Sequence, residues 1–488
     1  MKKELLITLL SMALLVSGCS PKKNKESSSS LDPSSSEEPS SSEEDPVPEG
    51  KVRVKFAPMI NSERKEDYVI DFDYDLAYFN EDASIYSKDI SMLSFGAVTV
   101  NQTKEMVLSF YERLGFENHY TSATYDTEPT ENSIGYYFGH ANVDNKDLIV
   151  VSIRGWEYKK EWCSNFKIGE SGNHVGFDEA AQTVYNDLKT YISNSYADKE
   201  LKLWVNGYSR AGGVANVLAT YIMDNHEINA DAHNAFFYTY EAPQGVYYES
   251  EEGINHYDNV FNIVNGADLI AKIAPKQYNL YRCGNDVDIF ANNIDELVKE
   301  FDSTIEFPKF TPDSGEEPKF TTEVEFTNYL ISQLLREDPL WADEQRGITV
   351  EMVALNTRER FYNNYQQAVM TAFSLFFSLK QETIDSIAEY YNPSTNLSHL
   401  LALLSALYYE DGLYGCLKPF LDQDGLTYDE TKVKHACNQI SQFIMKPGMI
   451  FLTLFMNDNN KNNLMRTIDM HMPEVNYMLL KQYNENKD

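Results

Sequence analysis

The sequence predicts an α/β fold in which helices flank a mostly parallel sheet. Residues 148–153 are apolar except for Ser152, which is typical of a strand buried on both faces. Residues 176–194 repeat apolar side chains at helical spacing, and residues 201–205 form another short strand. A sharp turn and a helix rich in small residues follow that strand directly. Strands and helices that alternate in this way favour parallel strands joined by crossover helices.

The chain before residue 148 gives mixed signals. The pattern predicts a strand at residues 68–74, a helix near residues 103–114 and a turn-rich stretch at residues 120–132. Residues 134–143 predict a further strand, joined to the apolar strand by the turn residues 144–147. Sites in α/β proteins lie at the carboxyl ends of strands, and here that end carries Arg154 and Gly155.

The composition indicates which classes of partner and cofactor are not expected. The 488 residues, 42% of them hydrophobic, suffice for a large core. The net charge of −34 repels a phosphate backbone, so we expect no nucleic-acid partner. No C-x-x-C spacing occurs, so the cysteines indicate neither a zinc site nor a redox pair, and we expect no metal and no cofactor. The cysteines are Cys19, Cys163, Cys283, Cys416 and Cys437.

The amino terminus predicts export and lipid anchoring. Residues 1–18 combine a basic start with an apolar run too short to span a bilayer, as in a secretory signal peptide. The last residues before Cys19 resemble a bacterial lipobox, which implies a lipid on the Cys19 thiol rather than an ordinary buried cysteine. Residues 19–50 are acidic and rich in Ser and Pro, which predicts a disordered tether. We therefore expect an extracytoplasmic protein, anchored by lipid to a membrane of the bacterial cell envelope.

The turn after residues 201–205 carries a candidate nucleophile, Ser209. A strained strand-to-helix turn holds a serine hydroxyl away from the backbone and places helix amide groups beside it. Small residues around the serine allow the close approach that such a turn requires. A phosphate-binding loop is excluded because Gly213 and Val214 stand where it needs Lys and Ser or Thr. The turn comprises Gly207, Tyr208, Ser209, Arg210, Ala211 and Gly212.

With this turn, the chain resembles the class 3 lipases, a branch of the α/β hydrolases. The resemblance covers roughly residues 134–275 and about the last thirty residues. Its segments agree in order, from Arg154-Gly155 through His174 and Ser209 to residues 238–245 and 260–275. The resemblance implies an α/β-hydrolase fold and a Ser-Asp-His triad in that chain order.

The acid of such a triad follows a strand, and Asp268 lies in the loop after the apolar residues 259–264. A plain turn aspartate is the alternative, since Asn-Gly-Ala-Asp favours a turn. Weaker candidates for the acid are Asp258, Asp286 and Asp288.

The base has to follow Asp268, which leaves three histidines. His399 and His435 fall in helix-like stretches, residues 397–409 and 431–444. His471 follows the polar stretch 457–463, predicted as a loop, and precedes Pro473, a residue typical of a helix start. In the family the base occupies such a loop, and Asp469 and Tyr477 also fit the family pattern. We therefore favour His471.

The resemblance also implies the supporting residues. The oxyanion donors are the backbone amides of Arg210 and Trp156, and Arg154 and His174 support the site. The sequence departs from the family at Trp156, where Ser or Thr is usual. A hydroxyl donor is then absent, and one lost donor weakens catalysis by roughly 3–4 kcal/mol.

The segment between Asp268 and His471 is longer than one crossover needs. Helical patterns at residues 328–335, 366–391, 397–409 and 432–445 predict a helical cap. The domain organisation is therefore a signal at 1–18, a tether at 19–50, an α/β-hydrolase core at 51–290, a helical cap insertion at 291–465 and a C-terminal core segment at 466–488.

These features predict a membrane-anchored serine hydrolase. Ser209 attacks a carboxylic, lipid-like ester, His471 takes the proton and Asp268 orients the imidazole. One alternative is an amidase or peptidase with the same triad, because only the pocket discriminates the two bonds. The other is a catalytically inactive hydrolase fold that binds a ligand. The expected partners are a small acyl-ester or lipid substrate and the membrane, and the oligomeric state is not predicted.

Overall fold

The computed structural model describes residues 46–156, 159–197, 199–272, 276–338, 349–392, 394–443 and 458–487. The predicted signal at 1–18, Cys19 and most of the tether at 19–50 lie outside the described residues. Within the described ranges, no helix is both long enough and apolar enough to cross a membrane.

A seven-stranded sheet forms the centre of the molecule. The strands along the chain are β1 (Lys51–Phe56), β2 (Tyr68–Asp73), β3 (Glu117–Thr121), β4 (Tyr136–Val143), β5 (Lys146–Ile153), β6 (Leu201–Tyr208), β7 (Ala235–Tyr240), β8 (Val246–Tyr247), β9 (Val260–Val264), β10 (Leu280–Tyr281) and β11 (Asn285–Asp288). The central order is β11-β9-β7-β6-β5-β4-β3, and β1-β2 and β10-β8 form two small antiparallel sheets. Strands β5, β6, β7, β9 and β11 run parallel, whereas β4 and β3 are antiparallel at one edge. The predicted α/β-hydrolase fold with a mostly parallel sheet is confirmed.

Strand β6 shows why this sheet is central. All its residues are buried, as expected for a strand covered on both faces. Leu203 and Val205 join the hydrophobic cluster on one face, and Trp204 and Tyr208 join the cluster on the other. This alternation follows from the two-residue period of a strand. Register pairs Gly207 of β6 with both β5 and β7, so the loops after these strands meet at one edge.

Helices cover both faces of the sheet. The helices of the core are α1 (Lys88–Val100), α2 (Lys104–Arg113), α3 (Val175–Ser195) and α4 (Arg210–Asn225). Helices α3 and α4 pack on the face that contains Leu203, through residues such as Phe177 and Val214. Helix α1 packs on the opposite face through Ile90 and Leu93, and its first turn is capped by the Ser87 hydroxyl. The predicted strand at 134–143 and helix at 176–194 are confirmed within a few residues, while β1 and α1 were not predicted.

The rest of the chain is mainly helical. Its helices are α5 (Ile294–Phe301), α6 (Glu323–Leu334), α7 (Val350–Val353), α8 (Arg358–Phe361), α9 (Gln367–Phe376), α10 (Gln381–Tyr390), α11 (Leu397–Ala406), α12 (Gly412–Asp424), α13 (Glu430–Phe443), α14 (Asp458–Asp469) and α15 (Pro473–Glu485). Helix α5 lies within the predicted insertion at 291–465 but packs against α15, and Ile294 and Val298 join the core cluster. The helix predicted at 366–391 is two helices, because the chain turns at Lys380, whose backbone N–H donates to Asp424 at 3.0 Å.

The loop predicted at residues 457–463 is wrong in its described part, because helix α14 begins at Asp458. Polar groups hold this helix in place. The Asn463 side chain exchanges two hydrogen bonds of 2.8 Å with the backbone of Thr311. The buried Arg466 pairs with Asp295 and Glu323 at 2.6 and 2.9 Å. Residues 458–463 carry no apolar side chain, so a sequence pattern has no apolar periodicity to detect in this part of the helix.

Candidate active site

Ser209 occupies the turn between β6 and α4, with φ 55° and ψ −127°. Positive φ is uncommon outside glycine and stores strain that the surrounding structure must hold. Close packing around the turn explains two glycines. A Cβ on Gly207 would meet the Ala211 carbonyl oxygen at 2.4 Å, and one on Gly155 would meet the Tyr208 carbonyl oxygen at 2.4 Å. The small residues predicted around Ser209 are therefore needed by the geometry of the turn.

The structure brings Ser209, His471 and Asp268 into one hydrogen-bonded chain. His471 Nε2 lies 2.9 Å from Ser209 Oγ, and His471 Nδ1 lies 2.6 Å from Asp268 Oδ2. A carboxylate only accepts, so His471 Nδ1 carries the hydrogen and Nε2 is left to accept from the serine hydroxyl. The second oxygen of Asp268 accepts from the Ile270 backbone N–H at 2.7 Å. All three side chains are buried, Ser209 being 7% exposed.

Tyr208 and Asn476 hold the turn that carries His471, between α14 and α15. The Tyr208 hydroxyl donates to the His471 carbonyl oxygen at 2.8 Å. The Asn476 amide donates to the Tyr208 hydroxyl at 2.8 Å and to the Met470 carbonyl at 2.9 Å. The residue before the candidate nucleophile thus positions the candidate base. The sequence placed Tyr208 in the turn but did not reveal this contact, because the two residues are far apart along the chain.

The alternative histidines and acids have other partners. His399 stacks on Tyr390 with ring centroids 4.0 Å apart, and His435 lies in α13. Asp286 pairs with Arg282 at 2.6 Å, and Asp288 accepts from the Gly266 backbone N–H at 3.2 Å. These residues do not take part in the described hydrogen-bond chain at Ser209. Asp258 lies at an exposed turn before β9.

Arg154 and Arg210 share a buried counter-ion, Glu161. Arg154 Nη2 lies 2.7 Å from Glu161 Oε1, and Arg210 Nη1 lies 3.9 Å from Glu161 Oε2. Ser133 donates to the same carboxylate at 2.8 Å, and Arg210 Nε donates to Ser164 Oγ at 2.6 Å. Burial raises the pKa of Glu161, against the opposing effect of the two arginines. This network fixes the first residue of α4, whose backbone N–H is a predicted oxyanion donor.

Glu161 was not predicted from the sequence. The available signal was the pair Arg154 and Arg210, since two arginines beside apolar strand ends require a buried counter-ion. Sequence spacing did not identify which of the 75 acidic residues fills that role.

Trp156 and His174 lie close to the turn but outside the hydrogen-bonded chain. The Trp156 ring is buried against Tyr208, with centroids 4.7 Å apart. His174 precedes α3, stacks on Phe177 at 3.8 Å, and its Nε2 lies 3.1 Å from the Asn165 carbonyl oxygen. Burial lowers the pKa of His174 to about 3, so the neutral ring donates to that carbonyl. His174 therefore contacts the loop before α3 and the first turn of that helix, and its support of the site stays a prediction.

A fourth titratable side chain, Glu241, lies beside Asp268 and was not predicted. It follows β7, is fully buried, and accepts from the Asn265 backbone N–H with both oxygens at 2.9 and 3.1 Å. Ligand atoms of Glu241, Asp268 and His471 lie within 4.8 Å of one another. Both nitrogens of His471 are already bonded to Asp268 and Ser209, so a metal ion would have to displace that chain. The arrangement suits proton transfer better than metal binding.

Comparisons with known proteins give matches to part of the chain. Residues 150–278 match the family model "Lipase (class 3)", a segment that contains Ser209 and Asp268 but not His471. The secreted mono- and diacylglycerol lipase 1 of Fusarium solani is 32% identical over 124 residues, which cover 24% of this chain. The chain spans about a third of that relative, 35% of its length.

Two solved structures are also similar to part of this chain. Rhizomucor miehei triacylglyceride lipase is 16% identical with a TM-score of 0.34, over 43% of this chain and 83% of that one. The mono- and diacylglycerol lipase from Aspergillus oryzae is 14% identical with a TM-score of 0.33, over 42% and 81% of the two chains.

Proposed function

We propose that this protein is a serine hydrolase that cleaves carboxylic esters. The observation that carries the proposal is the chain from Ser209 Oγ to His471 Nε2 and from His471 Nδ1 to Asp268, at 2.9 and 2.6 Å. These contacts join residues from three separate segments at the carboxyl edge of a parallel sheet, where α/β enzymes hold their sites.

The proposed reaction follows from this geometry. Ser209 Oγ attacks the ester carbonyl carbon while His471 Nε2 takes the hydroxyl proton, and the buried Asp268 stabilises the imidazolium. The backbone N–H groups of Arg210 and Trp156 bind the oxygen that becomes negative. His471 then protonates the leaving alcohol, and an acyl-enzyme forms. Water attacks this acyl group with His471 as base, which releases the carboxylic acid and restores the serine hydroxyl.

Lipid-like esters are the proposed substrate class. Two observations support them: the segment match to class 3 lipases and the likeness to a mono- and diacylglycerol lipase. A third is an aromatic cluster formed between residues 159–166 and helix α9. Trp162 and Phe166 lie 5.0 and 5.4 Å from the Phe373 ring of α9, between centroids. Such a cluster offers apolar surface to an acyl chain.

The test compares substrates and variants. We expect wild type to hydrolyse nitrophenyl esters, to prefer longer acyl chains over acetate, and to leave peptide anilides intact. Ser209→Ala should lose at least about 1,000-fold in kcat/KM. Ser193→Ala is the matched control, because this exposed serine lies in α3, where it donates to the Thr190 carbonyl, and it should keep full activity.

Other outcomes identify the alternatives. Faster cleavage of anilides than of esters would assign the same triad to an amidase. Equal ester hydrolysis by Ser209→Ala and wild type would refute the proposed nucleophile. A folded wild type without turnover of either substrate would favour a non-catalytic binding protein.

We also propose that the protein acts outside the cytoplasm, held to a membrane of a bacterial envelope by lipid on Cys19. The support is the sequence of residues 1–50 alone. Radiolabelled palmitate should label the wild-type chain expressed in a lipoprotein-processing bacterium, and Cys19→Ala should lose the label. Cys163→Ala, which changes a buried cysteine, should retain it. Equal labelling of Cys19→Ala and wild type would contradict the anchor.

A further inference from the structure

We propose that Glu241 is a positioning residue of this site, carrying a proton at neutral pH and donating it in a hydrogen bond to Asp268. The inference rests on the proposed function and deepens it, because it describes how Asp268 is kept as a single, oriented anion. Glu241 acts through Asp268 and not on the substrate.

The backbone places Glu241 at this point. It is the first residue after β7 and has φ 46°, so the chain turns sharply here. Its backbone N–H donates to the Ile263 carbonyl of β9 at 2.9 Å, and its carboxyl group accepts from the Asn265 N–H. The side chain is thereby held under the loop that carries Asp268, and carboxyl oxygens of the two residues lie within 4.8 Å of each other.

The hydrogen bonds that Asp268 accepts leave Glu241 the role of a hydrogen-bond donor. One Asp268 oxygen accepts from His471 and the other from the Ile270 N–H. Asp268 therefore acts as an acceptor toward both of these neighbours. A hydrogen bond between two carboxyl groups needs a proton on one of them. Asp268 accepts from His471, so Glu241 is the group that carries the proton.

The surrounding charges do not provide another counter-ion. The groups that face Glu241 are Asp268, His471, Tyr208, Arg282 and Lys272. Arg282 donates to Asp286 at 3.0 and 2.6 Å and to two backbone carbonyls. Lys272 donates to the Gly266 carbonyl at 2.7 Å and to Asn328 at 2.8 Å. Within the described part of the chain, neither cation hydrogen-bonds Glu241.

Burial, and then the charge of Asp268, raise the pKa of Glu241 well above its usual range. This direction agrees with the geometry, since two buried carboxylates in contact cannot both ionise cheaply. A neutral Glu241 adds a donor to Asp268 without adding a second negative charge. An ionised Glu241 would repel Asp268 and favour a protonated His471, which cannot act as base.

The decisive readout is infrared spectroscopy, because it does not depend on activity. At pH 8, wild type should show the carbonyl band of a protonated carboxylic acid that Glu241→Gln lacks. Glu249→Gln, which changes an exposed glutamate after β8, should retain the band. We compare the two proteins by subtracting the Glu241→Gln spectrum from the wild-type spectrum. Absence of this band from the difference would overturn the proposal.

Kinetics test the positioning role separately. Glutamine is neutral and keeps a hydrogen-bond donor, so Glu241→Gln should keep kcat/KM within about threefold. The acid limb of the pH profile, in which kcat/KM falls at low pH as His471 becomes protonated, should also be unchanged. Glu241→Leu is neutral without a donor and should lower kcat by about 10- to 100-fold with little change in KM. An acid limb that moves about one unit lower in Glu241→Gln would show that wild-type Glu241 is ionised, and would contradict the proposal.

Two safeguards keep the test decisive. If Glu241→Gln does not fold, wild type alone still gives a result at pH 8, because Glu474 and Asp469, each with a pKa of about 7, are then largely ionised. Glu161 faces two arginines. A wild-type spectrum without a protonated-acid band at pH 8 would then overturn the proposal. If wild type lacks ester hydrolysis, the proposed function fails, while the infrared result still decides the protonation of Glu241.

Discussion

At the scale of single residues, the site depends on buried charges whose partners are also buried. Glu161 illustrates this, since its carboxylate is fully buried and faces both Arg154 and Arg210. Removing one member of such a group leaves an uncompensated charge away from water, which costs more than the intact group contributes. The same reasoning applies to Glu241 beside Asp268, where the proposed proton removes one of two negative charges.

Glu161→Gln is expected to lower the free energy of unfolding by about 3–5 kcal/mol, because two buried guanidinium groups lose their counter-ion. Urea denaturation followed by circular dichroism measures this change. The control is Glu128→Gln, which removes an exposed ion pair with Lys159 and should change stability little. Equal effects of the two substitutions would show that the buried network has no special role.

Tyr208→Phe is expected to keep the fold and to lower kcat. The substitution removes the hydroxyl that donates to the His471 carbonyl and accepts from Asn476. The turn that carries His471 is then held by fewer hydrogen bonds. Loss of one such hydrogen bond costs about 1 kcal/mol in stability. Steady-state ester hydrolysis and denaturation report the two effects, with Tyr78→Phe, a partly buried tyrosine near α1, as control. A kcat equal to that of wild type would contradict the positioning of His471 by Tyr208.

At the scale of secondary-structure elements, the insertion contacts the core through α9. Phe373 of α9 stacks on Phe166 with ring planes 6° apart and contacts Trp162. Both partners lie in the short 3-10 helix Lys159–Phe166, which follows the predicted oxyanion residue Trp156. The position of this insertion helix is therefore coupled directly to a segment next to the site.

Phe373→Ala should loosen this contact, because removing a large aromatic side chain leaves a cavity. Hydrogen exchange is expected to become faster in both α9 and residues 159–166, with no change in α14. Phe376→Ala serves as the control, since the Phe376 ring contacts Phe377 within the insertion. Unchanged exchange in residues 159–166 after Phe373→Ala would show that α9 does not stabilise that segment.

The elements also show what the sequence could predict. Residues 148–153 and 201–205 were recognised as strands because most of their side chains are apolar, which reflects burial on both faces. Chain order and the nearby Pro473 pointed to His471, and the structure places it against Ser209. Helix α14 was missed because its buried face carries Asn463 and Arg466. Glu161 and Glu241 were missed because their partners are close only in the folded chain.

At the scale of the whole molecule, a segment near the start of the described chain and one near its end meet at a buried carboxyl group. Glu474 of α15 accepts from the backbone N–H groups of Met59, at 2.5 Å, and Ile60, at 3.2 Å. Burial raises the pKa of Glu474 to about 7, and burial and then the charge of Glu474 raise that of Asp469 to about 7. Glu474 therefore links the segment after β1 to the helix that follows His471.

This link predicts a pH dependence of stability. A carboxyl group whose folded pKa is raised contributes stability below its unfolded pKa, and that stability is lost as pH rises through the folded value. For Glu474 the loss lies between pH 4.5 and about 7 and amounts to about 3 kcal/mol. Glu474→Gln keeps the acceptor oxygen and removes the titration, so its stability relative to wild type should rise from pH 4 to pH 8.

Denaturation at a series of pH values checks this prediction. Glu485→Gln, on the exposed side of the same helix, should follow wild type throughout. A stability difference between wild type and Glu474→Gln that is the same at pH 4 and pH 8 would show that Glu474 does not titrate in this range.

The central claim is that Ser209 is a nucleophile activated by His471 and Asp268. Intact-mass measurement after treatment with a fluorophosphonate tests it most directly, because this reagent forms a stable bond only with an activated serine. We predict one adduct on wild type, located on Ser209 by peptide mapping, no adduct on Ser209→Ala, and much slower labelling of His471→Ala. A folded wild type that remains unmodified, or an adduct that persists in Ser209→Ala, would contradict the claim.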